Sequence, residues 1–312
     1  MVTFQQHITD GSPIQDLLQR LVASFKSISY AVQRIGLNDL TGATDEVNVT
    51  GDKIQKLDKF AHNTIVDSVI RCKHLACMAS EEHADVIHAN KDGDLVLLFD
   101  PLDGSSNIDS NISVGTIFSI HRRRSNTHLV NDCLQPGVNQ LAAGYVIYSA
   151  STMLVYASEN NVCGFTLDPS IGEFVLTHPS MRMPERGKIY SINEGNSMAW
   201  PNHVKEYIGS LKKDPKPRSL RYIGTLVADF HRTLVSGGIF LYPSSPKPKL
   251  RLLYEAAPMA MISECAGGMA ISEDGSSIMS MIPIELHQKV PLIIGSRNDV
   301  VEYMRFTNNT TN

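Results

Sequence analysis

The run Val96-Leu97-Leu98-Phe99-Asp100-Pro101-Leu102-Asp103-Gly104-Ser105-Ser106-Asn107 constrains this chain more than any other stretch. Its apolar half predicts a buried strand, and that strand stops at two carboxylates, Asp100 and Asp103, held three residues apart around Pro101. Proline fixes one backbone angle and Gly104 frees another, so the chain can turn sharply. Both acids, with the Leu102 carbonyl, can then point into one small volume. Hard oxygens gathered in that way suit Mg²⁺ or a similar divalent cation. The small residues Gly104, Ser105, Ser106 and Asn107 offer backbone N–H groups and hydroxyls that can open a short helix and cradle a phosphate. The competing reading is an ordinary strand-ending turn, since Asp-Pro and Asp-Gly are common turn dipeptides.

A chain of 312 residues is too long for one ordinary core and divides most naturally in two. The expected division is an N-terminal domain over 1–184, with a helix pair, an antiparallel sheet and the acidic motif, and a C-terminal α/β domain over 185–312. A formal net charge of −4 and a pI near 6.3 give no electrostatic case for nucleic acid or an anionic membrane as partner. Phosphate recognition has to be local. Cys72, Cys77, Cys133, Cys163 and Cys265 are odd in number and contain no C-x-x-C pair, which fits reduced thiols in a cytoplasmic protein. No apolar run approaches the roughly eighteen residues that span a bilayer, and the N-terminus lacks a signal-peptide core.

Ser12-Pro13-Ile14-Gln15 is a capping-box pattern with proline at the first helical position. Ile14, Leu17, Leu21, Phe25, Ile28, Val32 and Ile35 then recur at helical spacing up to Gly36, read as the stop. This stripe needs a partner, either a second helix patterned from Ile54 through Ile70 or another subunit. Asp52 and Asp58 are six residues apart, which puts them on different faces of a regular helix. If both serve one site, Asp52 sits in the first turn or before it; the alternative is two acids at the positive end of a helix. Glu81 and Glu82, between a helix end and the central strand, are candidates for further metal ligands or a base, against a solvated surface pair. Beyond the motif, alternating runs at 114–120, 142–148, 153–157, 163–167 and 173–176 predict an antiparallel meander. The run His121-Arg122-Arg123-Arg124 reads as a solvated hairpin tip, with a phosphate patch as the alternative.

After an irregular stretch at 179–187 the pattern changes to strands at 189–193, 222–224, 239–242 and 292–295, interleaved with helices at 203–211, 228–235, 255–266 and 299–306. Pro258 is best tolerated in a first helical turn, which puts Glu255 at that helix's N-terminus. Lys249 and Arg251 alternate toward one side of the preceding strand, where they can reach an anionic substrate or form a solvated edge.

Taken together, F-D-P-L-D-G-S-S-N-I-D at 99–109, S-E-E-H at 80–83, S-I-N-E-G at 191–195, R-Y-I-G at 221–224 and L-R-L-L-Y-E-A-A-P-M-A at 250–260 resemble class I fructose-1,6-bisphosphatase. That family belongs to the lithium-sensitive, Mg²⁺-dependent sugar and inositol phosphatases. D-P-x-D-G-S alone marks the superfamily, whereas L-R-L-L-Y-E and N-E-G mark the branch. The resemblance implies a layered αβαβα sandwich, with N-terminal helices and a mainly antiparallel sheet followed by a smaller α/β domain. It implies hydrolysis of the 1-phosphate of fructose 1,6-bisphosphate in gluconeogenesis by a cytoplasmic homotetramer. The cofactor implied is Mg²⁺, with Mn²⁺ or Zn²⁺ as alternatives. Metal ligands fall on Glu81, Asp100, Asp103, Glu255 and the Leu102 carbonyl. The pair that activates the attacking water falls on Glu82 and Asp58, and an acid near a further metal falls on Asp52, close to Arg251. The 1-phosphate is placed among Gly104, Ser105 and the metals, with Ser106 in the same turn. Lys249 matches the sugar contact, Asn193, Tyr222 and Tyr242 match the 6-phosphate pocket, and Arg221 matches a residue donated by a neighbouring subunit.

Two positions depart from that pattern. Asn196 stands where the 6-phosphate pocket has a tyrosine, which keeps sedoheptulose 1,7-bisphosphate open as a rival substrate. Asp94-Leu95 stand where the family's AMP-inhibition pocket has Lys-Tyr, and only Arg122 matches that pocket's arginine, so weak or absent AMP inhibition is expected. A non-catalytic sugar-phosphate sensor on the same fold is the alternative of another class; the presence of every acid the chemistry needs argues against it. The whole reading requires Glu81, Asp100, Asp103 and Glu255 to meet within about a nanometre.

Overall fold

The computed structural model describes residues 1–9, 11–47, 53–124 and 129–308. The chain opens with a short helix α1 (Phe4–His7) and a long one, α2 (Pro13–Gln33). Ser12 caps α2, its hydroxyl accepting from the Gln15 amide at 3.3 Å, while Gln15 Oε1 accepts from the Gly11 amide at 2.6 Å. Two short strands, β1 (Ala43–Val47) and β2 (Lys53–Gln55), pair antiparallel and lead into α3 (Lys56–Val69). Ile54, read as helical, therefore lies on a strand.

Next come β3 (Leu75–Ser80), β4 (Ile87–His88), β5 (Leu95–Asp103), β6 (Val114–Arg122), a short helix α4 (Leu129–Cys133), β7 (Gln140–Tyr148), β8 (Thr152–Ser158), β9 (Asn161–Asp168) and β10 (Glu173–His178). They form an eight-stranded sheet in the order β10-β9-β8-β7-β6-β5-β3-β4. The meander from β6 to β10 is as the alternation predicts. Strand β3 is not: its six residues, LACMAS, include no β-branched or aromatic residue to mark a strand, and it pairs parallel with β5. Glu81 and Glu82 consequently follow a strand and not a helix. The 121–124 run is no solvated tip either. His121 is buried, and Arg123 pairs with buried Asp132 at 3.3 Å and donates to the Lys91 carbonyl at 2.7 Å.

The second half contributes β11 (Ile189–Ser191), α5 (Asn202–Lys213), β12 (Ser219–Leu220), α6 (Leu226–Ser236), β13 (Ile239–Tyr242), α7 (Ala257–Cys265), β14 (Met269–Ile271), β15 (Leu292–Gly295) and α8 (Arg297–Asn308). Its five strands run β12-β11-β13-β15-β14. Residues 222–224, expected as a strand, leave the sheet because a side chain takes their donors: buried Asp229 accepts from the Ile223 amide at 3.0 Å and the Gly224 amide at 2.9 Å.

Four buried apolar clusters stack the described residues. Leu21, Phe25 and Ile28 of α2 and Leu57, Ala61 and Ile65 of α3 pack with Leu95, Leu97 and Phe99 on one face of the large sheet. The α2 stripe is thus covered within the chain. Ile117, Tyr145 and Val155 on the other face share a second core with Phe230 of α6, Met259 and Ile262 of α7, and Phe240 and Ile294 of the smaller sheet. Tyr190, Leu241 and Ile293 meet Tyr207 of α5 and Tyr303 of α8 in a third. The result is a mixed α/β sandwich layered αβαβα. The Val96–Phe99 run is unbroken by polar residues because its sheet is the second of five layers, with Val96 and Leu98 packed against Leu253 and Tyr254. Among the described residues no helix is long and apolar enough to cross a membrane.

Candidate active site

Strand β5 does not stop at Asp100. It runs through Asp103, with Asp100 opposite Ile117 and Asp103 opposite Gly115 on β6, so three steps on one strand face two on the other. Residues three apart on a regular strand point to opposite faces, and a bulge of this kind brings them to the same one. Pro101, with no N–H to give the ladder, occupies the bulge. The Leu102 amide turns instead to Asp100 Oδ1 at 2.9 Å, and Thr116 Oγ1 donates to the Pro101 carbonyl at 2.8 Å. The sharp turn comes one step later, at Gly104, where φ is +78° and an added Cβ would stand 2.3 Å from Thr225 Cγ2. Ser105 and Ser106 then open a 3₁₀ turn, Ser105–Ser110.

Parallel pairing with β5 places Ser80 opposite Phe99, so Glu81 emerges beside Asp100 with its amide donating to the Phe99 carbonyl at 3.1 Å. Glu255 arrives from the other half of the chain. It sits in a single π-helical turn, Leu252–Ala256, that leads into α7, with Pro258 in the first turn of that helix. Carboxylate oxygens of Asp100, Asp103 and Glu255, all buried, lie within 4.8 Å of one another. Glu81 joins through Arg251: its Oε1 is 2.5 Å from Arg251 Nη1, and the Arg251 amide donates to Glu255 Oε2 at 2.6 Å. Lys249 and Arg251 do not alternate along a strand; Arg251 makes one isolated bridge to Lys289 and is buried, while Lys249 is exposed.

Asp103 is held by an element the sequence reading did not connect to it. The Val227 amide, in the first turn of α6, donates to Asp103 Oδ2 at 2.7 Å, and Thr225 caps that helix by accepting from the Ala228 amide at 3.2 Å. A threonine before an apolar run is a visible start signal, but nothing local says which carboxylate the helix end will meet. Asp58 stands in the first turn of α3, where Oδ2 accepts from the Gln55 amide at 2.9 Å. Asp52 lies outside the described residues.

The electrostatics follow from the crowding. Burial, then the charges of Glu81, Glu255 and Asp103, hold the Asp100 carboxyl well above the usual range. Burial pushes Asp103 up to about 7 against the opposing Val227 and Leu226 amides, and raises Glu255 with Glu81, relieved by Arg251. Asp58 is likewise pushed up to about 7 by burial, with the Gln55 amide and Ser105 opposing. Glu81, Asp100, Asp103 and Glu255 together outnumber the single guanidinium of Arg251. Buried oxygens with unbalanced negative charge are a donor set that fits a hard divalent cation.

The acids form one end of a cavity of about 430 Å³ that also takes in Asp58, Glu82, Gly104, Ser105 and Ser106 and continues past Tyr222, Tyr242, Lys249 and Arg251. A second cavity, about 260 Å³, shares Tyr222, Tyr242 and Lys249 and is lined beyond them by Asn193, Asn196, Trp200 and Lys247. Most of the residues singled out from sequence are thereby brought together around two adjoining cavities. Arg221 lines neither cavity; it is exposed. Arg122 is also outside both, at the far end of β6, where its Nη1 is 3.3 Å from Asp94 Oδ2.

Comparison with known proteins agrees with this arrangement. Residues 3–179 match the family model described as fructose-1-6-bisphosphatase, N-terminal domain, and residues 183–308 match the C-terminal domain of the same family. A class 1 fructose-1,6-bisphosphatase of Nitratidesulfovibrio vulgaris is 52% identical over 301 residues, which is 91% of this chain and 89% of the relative. One from Leptospira biflexa is 49% identical over 307 residues, 93% of this chain and 90% of the relative. The crystal structure of Leishmania major fructose-1,6-bisphosphatase in holo form matches with a TM-score of 0.94 at 40% identity, covering 98% of this chain and 99% of that one. Its apo form matches with a TM-score of 0.88 at 39% identity over the same shares. With carboxylates from both matched halves meeting at one buried point, the chain belongs to the class 1 fructose-1,6-bisphosphatase family.

Proposed function

We infer that this protein hydrolyses the 1-phosphate of fructose 1,6-bisphosphate, giving fructose 6-phosphate and inorganic phosphate, a reaction of carbohydrate metabolism. The observation that carries the reading is the buried Asp100, Asp103 and Glu255 cluster, within 4.8 Å, in a cavity that adjoins, across Tyr222, Tyr242 and Lys249, a second one lined by amides, phenols and lysines. A cation site and an anion site are thus neighbours.

Asp100, Asp103, Glu255 and Glu81, with the Leu102 carbonyl, would hold Mg²⁺, for which an all-oxygen set is suited. Bound there, the ion supplies Lewis-acid polarisation of the phosphoryl group and of the attacking water. Glu82 takes a proton from that water as its oxygen bonds to phosphorus and the bond from phosphorus to the sugar oxygen breaks. Asp58, which lines the same cavity, shares that proton's acceptance. Asp52 is assigned to a further cation near Arg251. Gly104, Ser105 and Ser106 donate to the 1-phosphate, Lys249 contacts the sugar, and Asn193, Tyr222 and Tyr242 hold the 6-phosphate. Arg221, exposed in this chain, is assigned to the site of a neighbouring subunit in a cytoplasmic homotetramer. The domain division at 184/185 fits a large sheet that ends with β10 and a smaller one that starts with β11.

A second substrate has a specific observation in its favour. Asn196, shorter than a tyrosine, lines the 260 Å³ cavity and leaves room for the longer sedoheptulose 1,7-bisphosphate. Initial rates of phosphate release from both sugars, with Mg²⁺, Mn²⁺ and Zn²⁺ in turn, test the assignment. The expected result is preferred release from fructose 1,6-bisphosphate with Mg²⁺. Absence of release from either sugar with any of the cations, single turnover included, would leave the sensor reading standing instead.

A further inference from the structure

Glu81 and Glu82 are neighbours in one turn but are anchored differently. The Glu81 amide donates to the Phe99 carbonyl at 3.1 Å, continuing the ladder between β3 and β5. The Glu82 amide donates to a side chain, Ser80 Oγ, at 3.3 Å. That hydroxyl belongs to a fully buried residue and lies 2.9 Å from His62 Nδ1 on α3. The His62 ring is itself clamped, stacked on Phe99 with centroids 5.9 Å apart and on His83 with centroids 6.0 Å apart. A serine hydroxyl has one proton to give and lone pairs to receive with. When its proton goes to Nδ1 of a neutral imidazole, its lone pairs are left for the Glu82 amide. His62 also follows Asp58 by four residues, so one face of α3 presents Asp58 to the cavity and His62 to the turn behind Glu82.

We infer that His62 is a positioning residue for Glu82, acting through Ser80 to fix the backbone from which that carboxylate reaches the attacking water. The inference rests on the assignment of Glu82 as base. It predicts an effect on kcat that bypasses cation binding, because the Glu81 anchor does not pass through His62.

The test uses the full chain with His62→Leu, His62→Asn, Ser80→Ala and the His62→Leu/Ser80→Ala double variant. Steady-state kinetics with fructose 1,6-bisphosphate at saturating Mg²⁺ are read beside Mn²⁺ titration calorimetry. His62→Leu is expected to lower kcat about 10- to 100-fold, the scale of a misplacement near 1 Å, with KM and the Mn²⁺ dissociation constant within about threefold of the parent. His62→Asn, whose Oδ1 can accept the Ser80 proton, recovers most of the rate. Ser80→Ala removes a single oxygen and reproduces the loss even if the leucine variant does not fold. The double variant loses no more than either single one, since both act along one chain of bonds. A parental kcat in His62→Leu, an asparagine variant as impaired as the leucine one, or additive losses would each overturn the inference. Glu82→Gln separates it from the reading beneath: an active Glu82→Gln refutes the base itself, whereas an inactive one beside unimpaired His62 variants refutes only the positioning role.

Discussion

At Gly104 two constraints coincide on one residue. Its φ of +78° disfavours any side chain, and Thr225, which caps α6, stands where a Cβ would go. Gly104→Ala is therefore expected to lower stability by about 1–3 kcal/mol through backbone strain and overpacking. Because the residue links Asp103 to the turn assigned to phosphate, kcat should fall at least about tenfold as well. Denaturant unfolding and steady-state kinetics on the same sample check both. A second residue-scale prediction concerns Arg122, which is exposed and paired with Asp94 at 3.3 Å. Such an exposed pair contributes little stability, but the Asp94 carboxylate would repel a nucleotide phosphate approaching that arginine. Millimolar AMP should leave the rate of phosphate release unchanged, in the parent and in Arg122→Ala alike. A micromolar inhibition constant lost in that variant would contradict this.

At the scale of elements, the start of α6 matters most, because its first-turn amide at Val227 holds Asp103. Thr225→Ala removes the cap and is expected to cost about 1 kcal/mol in urea unfolding. It should also raise the Mg²⁺ concentration needed for half-maximal activity, since the loosened helix end no longer fixes a ligand. What could be read from the sequence divides along the same line. Helix α2 was legible because one face is apolar and Ser12-Pro13 opens it, and strands β6 to β10 because turn residues separate short apolar runs. Strand β3 was not, because Leu75–Ser80 contains no β-branched or aromatic residue to mark a strand. The bulge at Pro101 and Leu102 was not either: the spacing of Asp100 and Asp103 is visible, but the slip that turns both acids one way depends on the pairing with β6. The site acids themselves were legible through their motifs, and Asp229, which pulls 223–224 out of the smaller sheet, left no local sign at all.

At the scale of the whole molecule, crowded acids and buried imidazoles both tie stability to solution conditions. Cation binding relieves repulsion that folding creates, so Mg²⁺ at about a hundred times its dissociation constant should stabilise the fold by about 2.7 kcal/mol, and chelation should lower Tm correspondingly. Scanning calorimetry with Mg²⁺ and with EDTA measures the difference. Burial holds the His121 imidazole down from 6.5 to about 4, and burial does the same for His231. Below pH 6.5 the unfolded chain takes up these protons first, so their contribution to stability should fall as pH drops from 6.5 toward 4, by about 1.4 kcal/mol per pH unit for each such histidine. Above pH 6.5 both states are deprotonated and the effect vanishes. Asp58, Asp100, Asp103 and Glu255, held up in the folded chain, act in the opposite sense, so the histidine contribution is read as the difference in urea unfolding between the parent and His121→Gln across that window.

The cluster of Asp100, Asp103 and Glu255 spans two of the five layers, with two acids on the eight-stranded sheet and the third on the turn that leads into α7. It therefore works as a gauge of alignment: if one layer shears past the other, the oxygens separate while each layer stays intact. Any compound or neighbouring chain that slides the α7 layer against the larger sheet would silence the enzyme from a distance, without entering the cavity.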